Sequence, residues 1–418
     1  MKRRRRTNAT NAAAAGARSR TGSLQPAEGA TEEVLIERIV PGGAGLAHSN
    51  GQTIFVGLAV PGDRLRVHVY QRRGRASFAS IMEVIEPSPL RISPPCPYFG
   101  RCGGCDFQQL NYQSQLDAKV AIIRDCLRRI AHIEPPENIP ITPSPLRWQY
   151  RSRAQWQHDP VRRHLGYFER GSHRVCDVVE CPVIVPQLQE TLTHLRARAQ
   201  DGSLPEAQEF QSVAGDEGAS LIPPVGPITT REVTRAIGGH RYRFGADGFF
   251  QINHELLPSL IEAAVGDAHG ESAIDLYCGV GLFTLPLARR FAHVTGVESD
   301  ESAINYARSN LQDAQLANAT FHCAKVSDWL KADGQRSAPV DLILLDPPRA
   351  GLEAEAIGGI LALSPRRISY VSCDPATLAR DLKRLIEGGY RLDSIAAFDM
   401  FPQTHHVETV ASLEFSDK

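Results

Sequence analysis

The 418 residues hold 46 Lys and Arg against 47 Asp and Glu, a net charge of −1, and 42% of them are hydrophobic. Such a length exceeds what one compact core serves, so two or three domains are expected, with the composition of an ordinary globular protein. No apolar run reaches the roughly 18 residues needed to cross a bilayer, which excludes a membrane-spanning class, while the near-zero net charge leaves nucleic acid open because local fields decide that.

The basic charge is clustered. Residues 1–31 begin with Lys2-Arg3-Arg4-Arg5-Arg6 and continue as an Ala, Ser, Gly and Thr mixture, so a disordered basic tail is expected; an Arg-rich, acid-poor start also fits an organellar transit peptide. Residues 147–174 carry seven Arg and three His against Asp159 and Glu169, a second stretch suited to a polyphosphate. Nine cysteines, an odd number with no export signal, point to a reducing compartment, hence to the cytoplasm.

Over 32–89 short apolar alternations (Val34-Leu35-Ile36, Thr53 to Val56, Leu65 to Val69) are separated by Pro41-Gly42-Gly43 and Pro61-Gly62-Asp63, which predicts a small β-barrel. A central unit over 90–235 begins with Cys96-x5-Cys102-x2-Cys105. Next comes an amphipathic helix carrying Leu116, Val120, Ile123, Leu127 and Ile130, with Cys126 beside the stripe as a packing residue. Three thiolates in one loop need a fourth ligand. Cys181, in Val179-Glu180-Cys181-Pro182, is preferred to Cys176, and four thiolates suit zinc or an iron–sulfur cluster. Radical S-adenosylmethionine enzymes use C-x3-C-x2-C with one iron left open; the five-residue first gap and the available fourth Cys favour a closed cluster instead.

From 236 to 418 strands and helices alternate: strand 273–277, helix 281–291, strand 293–298, helix 300–312, strands 341–346 and 368–373, and helix 375–387. That order implies a parallel sheet covered on both faces. Asp275-Leu276-Tyr277-Cys278-Gly279-Val280-Gly281 is a glycine turn at the carboxyl edge of such a sheet, where α/β folds bind ligands, and Glu298 ends the next strand, where it can accept ribose hydroxyls. Thr284 occupies the place of the third glycine of a dinucleotide fingerprint, which turns the reading from a nicotinamide to S-adenosylmethionine. Asp346-Pro347-Pro348-Arg349 reaches the same edge, and its Arg, where amino-methyltransferases place an aromatic ring, argues against an exocyclic nitrogen as target.

Methylating carbon 5 of uracil needs a thiolate that adds to carbon 6 and a carboxylate that removes the carbon 5 proton. Cys373 ends a sheet strand and Glu408 begins a later segment; each alone reads as structural. Phe249-Phe250-Gln251-Ile252-Asn253, the 275–281 turn, Glu298, Asp346 to Arg349, Ser372-Cys373-Asp374-Pro375 and His406-Val407-Glu408 together resemble, in order, the uridine-5-methyltransferase family acting on ribosomal and transfer RNA.

The resemblance implies Cys373 as nucleophile, Glu408 as proton acceptor, and Gln251, Tyr277, Glu298 and Asp346 as cofactor-binding residues. It implies a Rossmann-like class I methyltransferase domain, α/β in class, with an N-terminal TRAM (OB-like) barrel and a central α+β iron–sulfur domain. The subgroup acting on large-subunit ribosomal RNA is the better match, with a four-iron four-sulfur cluster on Cys96, Cys102, Cys105 and Cys181. The expected partner is thus RNA, ribosomal before transfer, with no membrane and a monomeric enzyme; a transfer-RNA enzyme and a non-catalytic RNA-binding relative are the rivals. Two positions depart from the family's pattern: Leu282 replaces a polar cofactor contact, and Asp374 replaces the commoner Asn, which by its charge is expected to raise the Cys373 pKa.

Overall fold

The computed structural model describes residues 29–226, 230–333 and 339–416, so nearly all of the basic tail lies outside the described residues. Residues 31–86 form six strands, and Val34, Ile36, Ile54, Val56, Leu65, Val67, Val69 and Ala79 make their apolar core. A second sheet of five antiparallel strands runs in the order Val175–Asp177, His164–Phe168, Arg153–Asp159, Glu209–Ala214 and Ala219–Ile222. The helix Pro186–Asp201 starts with a proline, which needs no amide partner there. It contributes Leu188, Leu192, Leu195 and Ala199 to the core shared with this sheet.

The third sheet has eight strands, in the order Ala319–Cys323, Phe291–Glu298, Gly270–Leu276, Leu342–Leu345, Arg367–Ser372, Glu408–Phe415, Tyr390–Phe398 and Ile141–Thr142. The first five are parallel, and Glu408–Phe415 runs antiparallel to both its neighbours. Leu342–Leu345 is buried throughout. Leu342 and Leu344 enter the core on one face, Ile343 and Leu345 that on the other, the period of two expected of a central strand with both faces covered.

The elements expected over 236–418 are present with small shifts, apart from the helix placed at 281–291. It is only Thr284–Ala288, because the glycine turn occupies the residues before it. Elements within 90–235 also join the eight-stranded sheet. The helix Tyr112–Cys126 and its π-helical extension Leu127–Ala131 put Ile123 and Leu127 into the core of the eight-stranded sheet, and Ile141–Thr142 is its last strand. Cys126 is buried in packing, as expected. The strand Glu232–Ile237, which a border at 235 would cut, pairs with His240–Gly245 and packs Val233, Ile237, Tyr242 and Phe244 against the same sheet.

One buried ion pair ties this helix to the sheet. The Lys119 ammonium bonds the Asp399 carboxylate, both side chains wholly buried, and it donates to the Phe401 carbonyl at 3.0 Å while Tyr112 Oη donates to Asp399 at 2.8 Å. Removing one partner strands a charge without solvent. Lys119→Met is therefore expected to lower stability by about 3 to 5 kcal/mol, read as a fall in the urea midpoint with unchanged slope.

Candidate active site

The strand ends bring the chemistry together. Tyr277, Glu298, Asp346 and Cys373 each lie at or just past the carboxyl end of a parallel strand, the edge at which open α/β sheets bind ligands. Glu408 reaches that edge from the opposite direction, because its strand is reversed. Ser372 is paired with Thr409 in the antiparallel ladder, so Cys373, one residue further on, comes beside Glu408, one residue earlier. Gln251 reaches the same place on the segment after the 232–245 hairpin, where Phe250 stacks on Phe244 at 3.9 Å. Its Nε2 donates to Asp346 Oδ2 at 3.1 Å.

The glycine turn leaves room over its backbone. Gly279 has φ +52° with no heavy atom within 4 Å of where a Cβ would stand, and Gly281 follows with φ +89°. Tyr277 adopts φ +64°, a conformation that side-chain-bearing residues seldom take. Glu298 Oε2 accepts from the Gly279 amide at 3.3 Å and Oε1 from the Asp300 amide at 2.9 Å, so this carboxylate braces the turn. Under it Thr284 Oγ1 donates to the buried Asp275 at 2.5 Å, and burial lifts the Asp275 carboxyl to about 7.

Charge is unevenly compensated around Cys373. Burial pushes its thiol up to about 12, Glu408 and Asp346 add to the rise, and Arg349 alone pulls it down. Glu408 is 1% exposed and its Oε1 has no hydrogen-bond partner among the described residues. Burial, with Asp346 second, drives its carboxyl well above the usual range. Burial likewise raises Asp346, against the opposing Gln251 bond. His406 is driven down to about 3, by burial first and then by His405 and Arg349, and so stays neutral.

A family model described as tRNA (Uracil-5-)-methyltransferase matches residues 232–415. A 23S rRNA (uracil(1939)-C(5))-methyltransferase of Alkalilimnicola ehrlichii is 34% identical over 427 residues, covering 91% of this chain and 95% of the relative. The chain belongs to the RNA (uracil-5-)-methyltransferase family. An enzyme of the same description from Pectobacterium atrosepticum is 32% identical over 94% of this chain and 95% of its own. Among solved structures, the Pyrococcus abyssi tRNA (uracil-54, C5)-methyltransferase in complex with S-adenosyl-L-homocysteine has a TM-score of 0.71 at 27% identity, covering 91% of this chain and all of that one. The eight-stranded unit therefore has the class I methyltransferase fold of this family.

The cysteines of the central region share one cavity. Cys96, Cys102, Cys105 and Cys181 line it with Tyr98, Tyr167 and Arg151, whereas Cys176 is fully buried outside it and accepts from Arg101 Nε at 3.2 Å. Among the described residues no group of three or more His, Cys, Asp or Glu side chains is arranged to hold a metal ion.

Three expectations from sequence change in detail. Asp374 is not what raises the Cys373 thiol: its carboxylate is turned into the helix Pro375–Glu387, accepting from the Ala376 and Thr377 amides at 2.9 Å each as an N-cap. Leu282 is 6% exposed and packs in the core. The arginines of 147–174 also make contacts within the fold, while Arg147, Arg162, Arg163, Arg170 and Arg174 remain exposed. Arg153 bonds the Gly248 and Ala246 carbonyls, Arg170 bonds the Cys105 carbonyl, Arg147 stacks on Tyr112 at 4.2 Å, and Arg162 and Arg174 pair with Asp159 and Glu169. Arg349 is the residue that sequence reasoning undervalued, since it entered only as a missing aromatic; its place after Asp346 at the sheet edge was the available signal.

Iodoacetamide labelling of Cys373, followed by peptide mass spectrometry, should therefore be slow at neutral pH and rise steadily as the pH approaches 12. Arg349→Gln removes the one favourable charge and should slow labelling further, while Glu408→Gln should speed it; fast labelling at pH 7 would contradict this electrostatic account.

Proposed function

We propose that this protein methylates carbon 5 of a uridine in 23S ribosomal RNA, with S-adenosylmethionine as methyl donor. The observation that carries the reading is the antiparallel register that sets Cys373 beside a buried Glu408 at the ligand-binding edge of the sheet. The ribosomal target is supported by relatives of that description matching over nine-tenths of the chain.

The open space above Gly279 and the Glu298 carboxylate next to it fit a nucleoside bearing ribose hydroxyls, with Tyr277, Gln251 and Asp346 on the remaining sides. When bound there, S-adenosylmethionine supplies an electrophilic methyl group. The chain's own part is to make carbon 5 nucleophilic and then to restore the ring. The Cys373 thiol gives its proton to solvent and, as thiolate, forms a bond to carbon 6, moving the electron pair of the carbon 5–carbon 6 double bond onto the enolate and carbon 5; carbon 5 would take the methyl group as its bond to the donor's sulfonium sulfur breaks and leaves a thioether. Glu408 then accepts the carbon 5 proton, and the electron pair of that C–H bond reforms the double bond as the C–S bond to Cys373 breaks. A carboxylate whose proton affinity has been raised by burial is the stronger base for that task. Arg349 stabilises the thiolate at both ends of the cycle.

We read Cys96, Cys102, Cys105 and Cys181 as ligands of a four-iron four-sulfur cluster: the four thiols line one cavity, an all-sulfur donor set can hold either a cluster or zinc, and the resemblance to the ribosomal subgroup favours the cluster. Protein purified without oxygen should be brown and contain iron and sulfide, and Cys105→Ser should lose both. Stoichiometric zinc in colourless protein would overturn the cluster and leave the methylation untouched. The 31–86 sheet is read as a TRAM-like RNA-binding barrel.

The decisive experiment maps 5-methyluridine in total RNA with the wild-type gene, without it, and with two variants. Cys373→Ala should abolish the modification. Glu408→Gln should lower turnover by about 10²- to 10⁴-fold and accumulate a covalent protein–RNA adduct that survives denaturation, since the bond to carbon 6 then cannot be released. Modification restored by Cys373→Ala would refute the assignment.

A further inference from the structure

Glu408 is placed by a loop that the rest of the molecule holds from outside. Residues 399–407 join the strand Tyr390–Phe398 to the strand that Glu408 begins. In the middle of this loop Gln403 has φ +69°, unfavourable for a residue with a side chain, so neighbours must hold it there. Its carbonyl accepts from the amides of Asp106 and Phe107 at 3.1 and 3.0 Å, and its amide donates to Gln115 at 3.0 Å. Two residues on, Asp106 grips His405 twice. One carboxylate oxygen accepts from the His405 amide at 2.8 Å, and the other lies 2.5 Å from its ring Nδ1. The His405 ring lies against the His406 ring, tilted by 39° with centroids 4.1 Å apart, and only Val407 separates His406 from Glu408. A turn of the 31–86 sheet closes on the same point, where a Cβ at Gly43 would come within 2.7 Å of the His405 Cβ.

We propose that Asp106 is a positioning residue for Glu408: by clamping His405 it fixes the start of the reversed strand, and it makes the loop of Cys96, Cys102 and Cys105 a structural support of the proton-removal step. The inference rests on the reading of Glu408 as proton acceptor. Asp106 follows Cys105 directly, so whatever holds or releases that thiol moves the clamp. The two bonds to His405 and the two amides on Gln403 span about 300 residues of sequence and join three parts of the fold at one histidine.

The test compares Asp106→Ala and Asp106→Asn in the full-length protein on an RNA substrate, reading kcat, KM and covalent adduct on a denaturing gel. A carboxylate displaced by about 1 Å costs on the order of 10²-fold in rate, so Asp106→Ala should lose kcat on that scale with KM for RNA unchanged. It should also accumulate the same adduct as Glu408→Gln, because only release is impaired. Asp106→Asn, which can still accept from the His405 amide and donate to its ring, should recover most of the rate. His405→Ala cuts the same link from the other side and should trap adduct too, which keeps the test sharp if Asp106→Ala is poorly folded. Wild-type turnover in Asp106→Ala, or a loss of rate without adduct in either alanine variant, overturns the inference. Absence of adduct in Glu408→Gln itself would instead refute the reading on which it rests.

Discussion

A single reversed strand makes the site. In an all-parallel sheet every strand delivers its last residue to the ligand edge, and consecutive deliveries are separated by a crossover helix. Turning Glu408–Phe415 around lets a first residue arrive there instead, immediately next to the end of Arg367–Ser372. Cys373 and Glu408, 35 positions apart, thus become neighbours across one strand pair. Glu408 is paired with Phe398 in the ladder, and Cys373 lies one residue past the last pair of its own strand, which suits chemistry demanding tolerances of a fraction of an ångström.

That proximity has an electrostatic cost. Glu408, Asp346 and Cys373 are withdrawn from water together, each disfavours charge on the others, and Arg349 is the cation set against them. Burial thus raises the proton affinity of all three groups. Asp275, buried beneath the glycine turn and bonded to Thr284, extends the same theme away from the reacting atoms.

The sequence disclosed most where a residue's role is local. Leu342 to Leu345 had to be a doubly covered strand, the Asp275 to Gly281 turn had to lie at its carboxyl edge, and Cys126 had to pack. What stayed hidden depends on partners far along the chain. Nothing near Asp374 says that its carboxylate prefers the open amides of its own helix to the thiol next door. Nothing in the spacing of the 147–174 arginines says that carbonyls at Gly248 and Cys105 will claim them. The helix and two-residue strand within 112–142 are a similar case: they look like part of whatever surrounds them, yet they join a sheet whose other strands all lie from Gly270 onwards.

The short pairing of Ile141–Thr142 with Tyr390–Phe398 also bears on how the protein can be cut. Trimmed to its C-terminal half, the chain would present that outer strand with unpaired amides and carbonyls, the template on which stray polypeptides assemble. It would also uncover the acid of Asp399 in a hollow shaped for an ammonium group. The eight-stranded sheet is in this sense finished by the amino-terminal half.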